Sequence, residues 1–318
     1  MKIFFPDTHL TLTKNMTKAF SKLGHTTLIP SKDYEVTIWP PQKWVWNNSH
    51  DESSIEKYDL PKETLFVNKE QLFDLKPEVI FITAFENKFE IFDVIYKEAI
   101  NWGAKLVFYS GNDYWPEAYS FDLIDNFLPA DKLGATLAEK NKKNFLHYKP
   151  WIDYEMFSFD GTSDGNTVGT YICDYRKNFP QDFECYRQTK ELTNYDYILC
   201  EKSTKQETAD IMHKSCFTLH VKSQEGYGYA IIESMAKGRP VFFWEPQTVG
   251  KSYLDWLDLG VTGFTFRDVS EFKSQSEFFL NEKEFRHETQ TKCASRIREL
   301  INNETENEKL KTFLENLV

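Results

Sequence analysis

The sequence predicts an α/β protein made of two domains of similar build that join near residue 160. Its 318 residues are enough for about two domains of the usual size. In both halves, short apolar runs typical of strands alternate with helix-like segments, which indicates parallel sheets with crossover helices. The segment "SFDGTSDGNT" at 158–167 is rich in Ser, Gly, Asp and Thr, and it separates the two halves as a linker.

The first half shows this alternation from its start. Met16, Phe20 and Leu23 recur at spacings of four and three before a glycine, which predicts a helix. The β-branched run "PEVIFITA" follows a turn and is typical of a buried parallel strand. Residues 31–70 are too irregular for an assignment. The predicted strands lie at 2–5, 25–30, 77–84 and 104–110, and the predicted helices at 13–24 and 89–103.

The second half repeats the pattern after the linker. Its apolar runs, such as "CFTLHV" and "PVFFW", are separated by segments with helical spacing of apolar residues. The tail at 294–318 is charged and helical and has no strand of its own. The predicted strands lie at 168–173, 195–200, 216–221 and 240–244, and the predicted helices at 180–193, 204–215 and 229–238.

Charge and cysteine content exclude several classes of protein. The 38 basic and 49 acidic side chains give a net charge of −11, which disfavours non-specific binding to nucleic acid or anionic lipid. The five cysteines are scattered, with no zinc-type spacing, and predict free thiols in a reducing compartment. No signal peptide is recognisable, and no apolar run approaches the ~20 residues that span a bilayer. We therefore expect a cytoplasmic protein without a transmembrane segment.

The stretch "EGYGYAIIESMAKGRP" at 225–240 carries the strongest functional signal. It forms a turn between a predicted strand and a predicted helix, at the carboxyl end of a parallel sheet, where open α/β folds bind ligands. A helix N-terminus favours an anion such as a phosphate, because its amide groups and dipole point at the ligand. Gly226 and Gly228 would let the backbone approach that ligand closely.

Two glutamates flank this turn. Glu225 lies in the loop before the helix and Glu233 about one turn inside it, so both could face one cleft and bind the hydroxyl groups of a sugar or ribose. The competing interpretation is an amphipathic helix with two solvated glutamates, since acidic residues are favoured at helix starts anyway. The order of strand, "EGYG", small Ala230, Glu233, "MAKGRPV" and strand is rarer than the spacing alone and favours binding.

Ser223 to Val241 resembles the E-x7-E motif of retaining glycosyltransferases with the GT-B fold, of the family 4 type. Four further segments resemble the same family in the same order: the first strand and helix, "HYKPWIDYEMFS" at 147–158, "STKQETADIMHKSCFTLHVKS" at 203–223, which resembles the helix and strand before the motif, and "LGVTGFTFRDVSEF" at 259–272. The resemblance implies two Rossmann-like domains facing a cleft, with the C-terminal helix crossing back to the N-terminal domain. The implied acceptor-side domain is 1–157 with the tail helix 294–318, and the implied nucleotide-sugar donor domain is 158–293.

The resemblance also implies roles for individual residues. Glu225 would contact the transferred sugar and stabilise an oxocarbenium-like transition state, and Glu233 would bind the ribose hydroxyls. Arg176 and Lys177, after the first strand of the second domain, would neutralise the leaving diphosphate in place of a metal. The competing interpretation of this pair is a solvated loop. The implied donor-binding residues are Gly226, Tyr227, Gly228, Tyr229 and Glu233.

The chain departs from the family on the acceptor side. The glycine-rich loop after the first strand is absent, and Asp7, Thr8 and His9 occupy that region. The family's histidine after a later strand is replaced within "YSGNDYW", where Asn112 or Asp113 takes its position. Asp113 could contact the transferred sugar or activate an acceptor. Arg176 and Lys177 are adjacent here, whereas the family usually separates its basic pair.

The expected activity is metal-independent transfer of a hexose from a UDP- or GDP-sugar to an acceptor hydroxyl, with retention of configuration. The acceptor is a saccharide, a lipid-linked sugar or a modified nucleobase. One alternative is a glycosyltransferase that acts on modified bases in DNA, which the net charge disfavours. Another is a non-catalytic GT-B protein that binds nucleotide-sugars. A dinucleotide-binding protein is disfavoured, because no G-x-G-x-x-G follows the first strand.

Overall fold

The computed structural model of the chain divides by its internal contacts into two compact units. Unit 1 comprises Met1–Trp151 and Asn303–Val318, and unit 2 comprises Ile152–Asn302. These boundaries lie at 151/152 and 302/303, where the sequence predicts 157/158 and 293/294. The residues that the structure describes are 1–6, 10–31, 35–38, 42–45, 51–83, 98–110, 124–149, 151–171, 180–200, 204–222, 225–248 and 252–318.

Unit 1 is built on a parallel sheet of seven strands in the order β5-β2-β1-β6-β7-β8-β9. The strands of this sheet are β1 (Lys2–Phe4), β2 (Thr26–Pro30), β5 (Leu65–Val67), β6 (Val79–Thr83), β7 (Lys105–Ser110), β8 (Asn126–Pro129) and β9 (Asn144–Phe145). A separate antiparallel hairpin consists of β3 (Glu35–Ile38) and β4 (Gln42–Val45). The helices of unit 1 are α1 (Leu10–Lys22), α2 (Ser53–Tyr58), α3 (Lys69–Leu75), α4 (Lys132–Lys140) and α10 (Asn303–Glu315).

The core of unit 1 explains why its strands read as continuous apolar runs. Strands of a parallel sheet are covered on both faces, so their side chains are apolar on both. Phe5 and Phe81 are fully buried, with ring centroids 5.5 Å apart. Phe20 of α1 packs onto Phe81 at 5.3 Å, which accounts for the helical spacing of apolar residues seen in the sequence. The predicted helix at the start of the chain and the predicted strands around it are thereby confirmed.

Several parts of unit 1 were not assigned from the sequence. The irregular region 31–70 contains the hairpin, the short helix α2 and the edge strand β5. Strands β8 and β9 lie at the other edge of the sheet, and helix α4 connects them in sequence. The predicted helix at 89–103 lies largely outside the described residues, and 98–101 are helical. Helix α10 belongs to unit 1 by its contacts. This agrees with the prediction that the C-terminal helix crosses back to the N-terminal domain.

Unit 2 contains a five-stranded parallel sheet in the order β11-β10-β12-β13-β14. Strand β11 pairs with one edge of β10, and β12, β13 and β14 follow in order from the opposite edge of β10. The strands are β10 (Thr167–Tyr171), β11 (Asp196–Leu199), β12 (Phe217–His220), β13 (Val241–Trp244) and β14 (Gly263–Phe266). The helices are α5 (Pro180–Leu192), α6 (Lys205–Lys214), α7 (Tyr229–Ala236), α8 (Val269–Asn281) and α9 (Lys283–Leu300).

The segment predicted as a linker packs tightly within unit 2. Gln290 of α9 donates from its side-chain amide to the Ser163 carbonyl (3.2 Å), and its side-chain oxygen accepts from the Ser163 amide (2.9 Å). Further upstream, the Tyr154 hydroxyl donates to the Ile301 carbonyl at 2.7 Å. Residues from 152 onward are therefore held by unit 2, which accounts for a contact boundary six residues before the predicted one.

Two further sequence predictions concern the whole chain. Four of the five cysteines lie in the described ranges, and all four are free thiols: Cys185, Cys200, Cys216 and Cys293. Within the part of the chain that the structure describes, every helix is too short or too polar to cross a bilayer.

Gly238 and Gly260 give a matched test of the packing around residue 159. Both have a left-handed backbone, with φ of +73° and +83°, so alanine costs about 1 kcal/mol at either position. A Cβ on Gly238 would lie 2.6 Å from the Phe159 ring, whereas at Gly260 it would meet nothing within 4 Å. We expect Gly238→Ala to lower the free energy of unfolding by a further ~1–3 kcal/mol in urea titrations. Equal losses for the two variants would contradict the described packing.

Candidate functional site

The predicted site lies at the carboxyl edge of the unit 2 sheet, between the end of β12 at His220 and the start of α7 at Tyr229. The strand order reverses between β10 and β12, and ligands of open α/β sheets bind in the crevice at such a point. Helix α7 carries no acidic residue in its first turn and no side-chain cap among the described residues. Its N-terminal amide groups and dipole therefore suit an external anion.

Gly228 allows the backbone at the start of α7 to pack closely against its neighbours. It is the N-cap of α7 with φ 83° and ψ 44°, a left-handed conformation that side-chain-bearing residues rarely adopt. A Cβ at this position would lie 2.9 Å from Cβ of Tyr253 and 3.1 Å from Cδ1 of Ile231. The carbonyl of Gly228 accepts from the amides of Ile231 (2.9 Å) and Ile232 (3.0 Å). Only glycine fits this turn without moving its neighbours.

Aromatic packing holds Tyr227 of this loop in place. The Tyr227 side chain is buried, and its ring lies 5.2 Å from that of Trp256 and 5.1 Å from that of Tyr229. The Trp256 indole donates to the Tyr227 carbonyl at 3.0 Å. Edge-to-face ring pairs of this kind stabilise a conformation beyond the area they bury. The segment 225–228 is therefore held by packing within unit 2.

Glu225 is a largely buried carboxylate with two basic neighbours. Its side chain is 12% exposed, and Oε2 lies 3.2 Å from Nε2 of His220 and 3.3 Å from Nζ of Lys222. Burial alone would raise the pKa of Glu225, but Lys222 and His220 outweigh it, and the pKa lies well below the usual range. Oε1 accepts from the Gly226 amide at 3.3 Å. Glu225 is therefore ionised at neutral pH and oriented by its neighbours.

His220 was missed by sequence reasoning. It is the last residue of β12, it is buried, and its ring centroid lies 5.5 Å from that of Phe243 and 5.7 Å from that of Tyr253. The signal was present: a single histidine at the end of the otherwise apolar strand "CFTLHV", five residues before Glu225. A buried polar group requires a partner, and that partner is the glutamate of the following loop.

Glu233 lies one turn inside α7 and is 4% exposed. Its Oε1 forms an ion pair with the ammonium group of Lys205, the first residue of α6. The same ammonium lies 5.3 Å from the ring centroid of Phe157 and 5.7 Å from that of Tyr229. The start of α6 is itself fixed by a capping box between Thr204 and Glu207. Sequence reasoning did not connect Lys205 with this site.

The far end of α7 is anchored by Arg239, which is fully buried. Its guanidinium donates to the carbonyls of Met212 (2.9 Å), Gly161 (3.3 Å) and His213 (3.1 Å). Ser234 donates to the Arg239 carbonyl at 3.0 Å. Arg239 thus belongs to the turn into β13 and fixes the orientation of the helix. It takes no part in the anion-binding end.

The remaining predicted residues lie outside the described part of the chain. Arg176 and Lys177 fall within 172–179, directly after β10, and Asn112 and Asp113 fall within 111–123, directly after β7. Asp7, Thr8 and His9 make up the undescribed range 7–9 before α1. The structure describes all six predicted residues of the loop and α7, and it adds three basic neighbours. Those neighbours are Lys205, His220 and Lys222.

Solved structures resemble this chain over its whole length, although sequence comparison does not identify it. No family model and no curated protein sequence matches the chain. HepE from Anabaena, in complex with UDP and glucose, superposes with a TM-score of 0.70 and 10% identity over 99% of each chain. The chain has two parallel sheets, one in each unit, and its alignment with HepE extends over nearly the whole length of both chains. The chain has the GT-B fold.

Other GT-B chains align similarly. A glycosyltransferase from Rickettsia africae gives a TM-score of 0.65 with 11% identity, covering 99% of this chain and 97% of the other. Sucrose-phosphate synthase from Thermosynechococcus elongatus gives 0.63 with 9% identity, covering 99% and 98%. At these identities the similarity shows the fold alone, and the family 4 assignment with its E-x7-E roles stays a prediction.

The charge state of Glu225 gives a test by pH. Because its pKa is lower in the folded than in the unfolded chain, where it is about 4.3, the ionised side chain stabilises the fold above that pH. This contribution is lost as the pH falls through the folded pKa. We expect wild type to lose at least ~1 kcal/mol more than Glu225→Gln between pH 6 and pH 3 in urea titrations.

Lys222→Met should reduce this acid-dependent loss, because it removes the largest favourable charge next to Glu225. A Glu225→Gln protein with the same pH dependence as wild type would show that Glu225 is not held in the ionised form.

Proposed function

We propose that this chain is a retaining glycosyltransferase, which transfers a hexose from a nucleotide-diphosphate sugar to an acceptor hydroxyl without a bound metal. The observation that carries the proposal is the pair of buried glutamates, Glu225 and Glu233, on either side of the N-terminus of α7. Of the predicted nucleotides, UDP is favoured over GDP, since HepE, which has the same fold, is described in complexes with UDP and with UDP-glucose.

The chemistry of the site fits the parts of such a donor. A diphosphate carries negative charge, which the N-terminus of α7 and the backbone of Gly226–Gly228 would bind. Sugar and ribose hydroxyls donate hydrogen bonds, and carboxylates accept them strongly. In this assignment Glu225 binds the transferred sugar and Glu233 binds the ribose. Tyr227 and Tyr229 hold the loop between the two carboxylates.

The proposed reaction breaks the bond between the anomeric carbon and the diphosphate oxygen and forms a bond from that carbon to the acceptor oxygen. The acceptor hydroxyl gives its proton to an oxygen of the diphosphate, which leaves with the bonding electron pair. Negative charge grows on the diphosphate, which the N-terminus of α7 would stabilise, together with Arg176 and Lys177 in their predicted role. Positive charge grows at the anomeric carbon, which the ionised carboxylate of Glu225 would stabilise. Asp113 is the proposed acceptor-side contact.

A purely structural role for the two glutamates is disfavoured by the free energy that burying a carboxylate costs. A carboxylate that leaves water loses several kcal/mol unless cations and hydrogen bonds replace its hydration. Apolar residues in the same positions would stabilise the fold more simply. The acceptor is proposed to be a saccharide, a lipid-linked sugar or a modified nucleobase, in the cytoplasm. The net charge of −11 disfavours the nucleobase within a DNA duplex.

A thermal-shift panel tests the proposal directly. UDP, GDP, ADP and the corresponding hexose donors are added to the full chain, with and without EDTA. We expect UDP and UDP-hexoses to raise the melting temperature in both conditions, since a ligand at about 100 times its Kd stabilises by about 2.7 kcal/mol. Glu233→Ala should weaken UDP binding by roughly 10- to 100-fold, because a charged hydrogen-bonding partner is lost.

Glu284→Ala, an exposed residue on α9 of the same unit, is the control and should leave binding unchanged. No shift with any nucleotide would refute the proposal. Loss of binding in EDTA, or an inverted anomer in the isolated product, would refute its metal-independent or its retaining part.

A further inference from the structure

Lys205 occupies a position that local helix physics disfavours. It is the first residue of α6, where the helix dipole and the free amide groups attract negative charge and repel a cation. The helix already has its own cap, because Thr204 and Glu207 form a reciprocal capping box. A lysine is therefore not needed to start α6. The role of Lys205 is therefore sought in the contacts of its side chain.

The Lys205 ammonium is enclosed on three sides. It forms an ion pair with Glu233, and the ring centroids of Phe157 and Tyr229 lie 5.3 Å and 5.7 Å away. The Lys205 side chain is 19% exposed, and the Glu233 carboxylate is buried. An ion pair in this setting is only weakly screened by solvent, and two aromatic faces add cation–π attraction. The contacts restrict the ammonium, and through it the carboxylate, to one arrangement.

This arrangement is compatible with ligand binding by Glu233. A carboxylate has about four acceptor positions, so the bond to the Lys205 ammonium does not prevent further hydrogen bonds to the same carboxylate. Glu233 is fixed from two sides: its backbone by the buried helix α7 and its carboxylate by Lys205. A carboxylate held in one orientation can accept from the neighbouring hydroxyls of a ribose without first losing rotational freedom, which increases affinity.

We propose that Lys205 is a positioning residue for nucleotide recognition, which holds the Glu233 carboxylate in one orientation so that the site selects a ribonucleotide over its 2′-deoxy form. The inference rests on the proposed function and deepens it, because it names the residue that orients Glu233 for binding the ribose of the nucleotide. Lys205 touches neither the hexose nor the diphosphate in this account. It acts through Glu233 alone.

A merely structural Lys205 and a positioning Lys205 differ in one readout. Loss of a structural contact would weaken all nucleotides alike. Loss of a positioning contact weakens the nucleotide that offers the 2′-hydroxyl more than the one that lacks it, which keeps only the 3′-hydroxyl. The ratio of the two affinities therefore separates the roles, independently of any general effect on folding.

The experiment measures the affinity of the full chain for UDP and 2′-deoxy-UDP by isothermal titration calorimetry. Wild type should prefer UDP by about tenfold or more, as expected for one hydrogen bond to a charged group. Lys205→Met should weaken UDP by about tenfold and 2′-deoxy-UDP by less than about threefold. Lys205→Arg, which keeps the cation, should stay within about threefold of wild type for UDP. Lys205→Gln gives a second neutral variant that keeps a polar group, should the methionine variant fold poorly.

Two further proteins complete the design. In a Glu233→Gln background, Lys205→Met should change neither affinity further, since its target carboxylate is gone. Lys273→Met on α8 removes a more exposed lysine paired with Glu277 and serves as the control.

Equal weakening of both nucleotides, or none, in Lys205→Met or Lys205→Gln would overturn the inference while leaving the proposed function in place. Failure of wild type to bind UDP would overturn the proposed function, and the inference with it.

Discussion

Burying a carboxylate is the constraint around which the second unit is organised. A carboxylate loses its hydration on leaving water and stays ionised only where cations or donors replace that hydration. Glu225 has His220 and Lys222 as such partners, and Glu233 forms an ion pair with Lys205. Because these partners lie at the end of β12 and at the start of α6, the requirement ties both of those segments to the loop and the first turns of α7.

Helix α7 can serve this arrangement because both of its ends are fixed. At the N-terminus, Gly228 adopts a left-handed backbone and packs where a Cβ would meet Tyr253. At the C-terminus, the Arg239 guanidinium binds backbone carbonyls from α6 and from the segment after residue 158. The helix therefore holds its amide end toward the carboxyl edge of the sheet without needing a ligand to order it. Such preorganisation is what electrostatic stabilisation of a developing charge requires.

Much of the fold and part of the site could be predicted from the sequence, and the limits have physical causes. Apolar runs located β1, β2, β6 and β7 of the first sheet and β10 to β13 of the second, because periodicity reports burial directly. Glu225 in a loop and Glu233 in a helix also followed, since the glycines between them mark the turn. Lys205 did not, because its partner is 28 residues away and a lysine on a polar helix looks solvated. The hairpin of β3 and β4 has short strands, which local patterns do not distinguish from loop.

The most direct test of the account is hydrogen–deuterium exchange of the full chain with and without UDP-glucose. The central claim is that the donor binds at the N-terminus of α7, so peptides covering 221–236 and the first turn of α6 should exchange more slowly in the complex. Slower exchange elsewhere, with no change across 225–229 in a protein shown to bind the nucleotide, would contradict it.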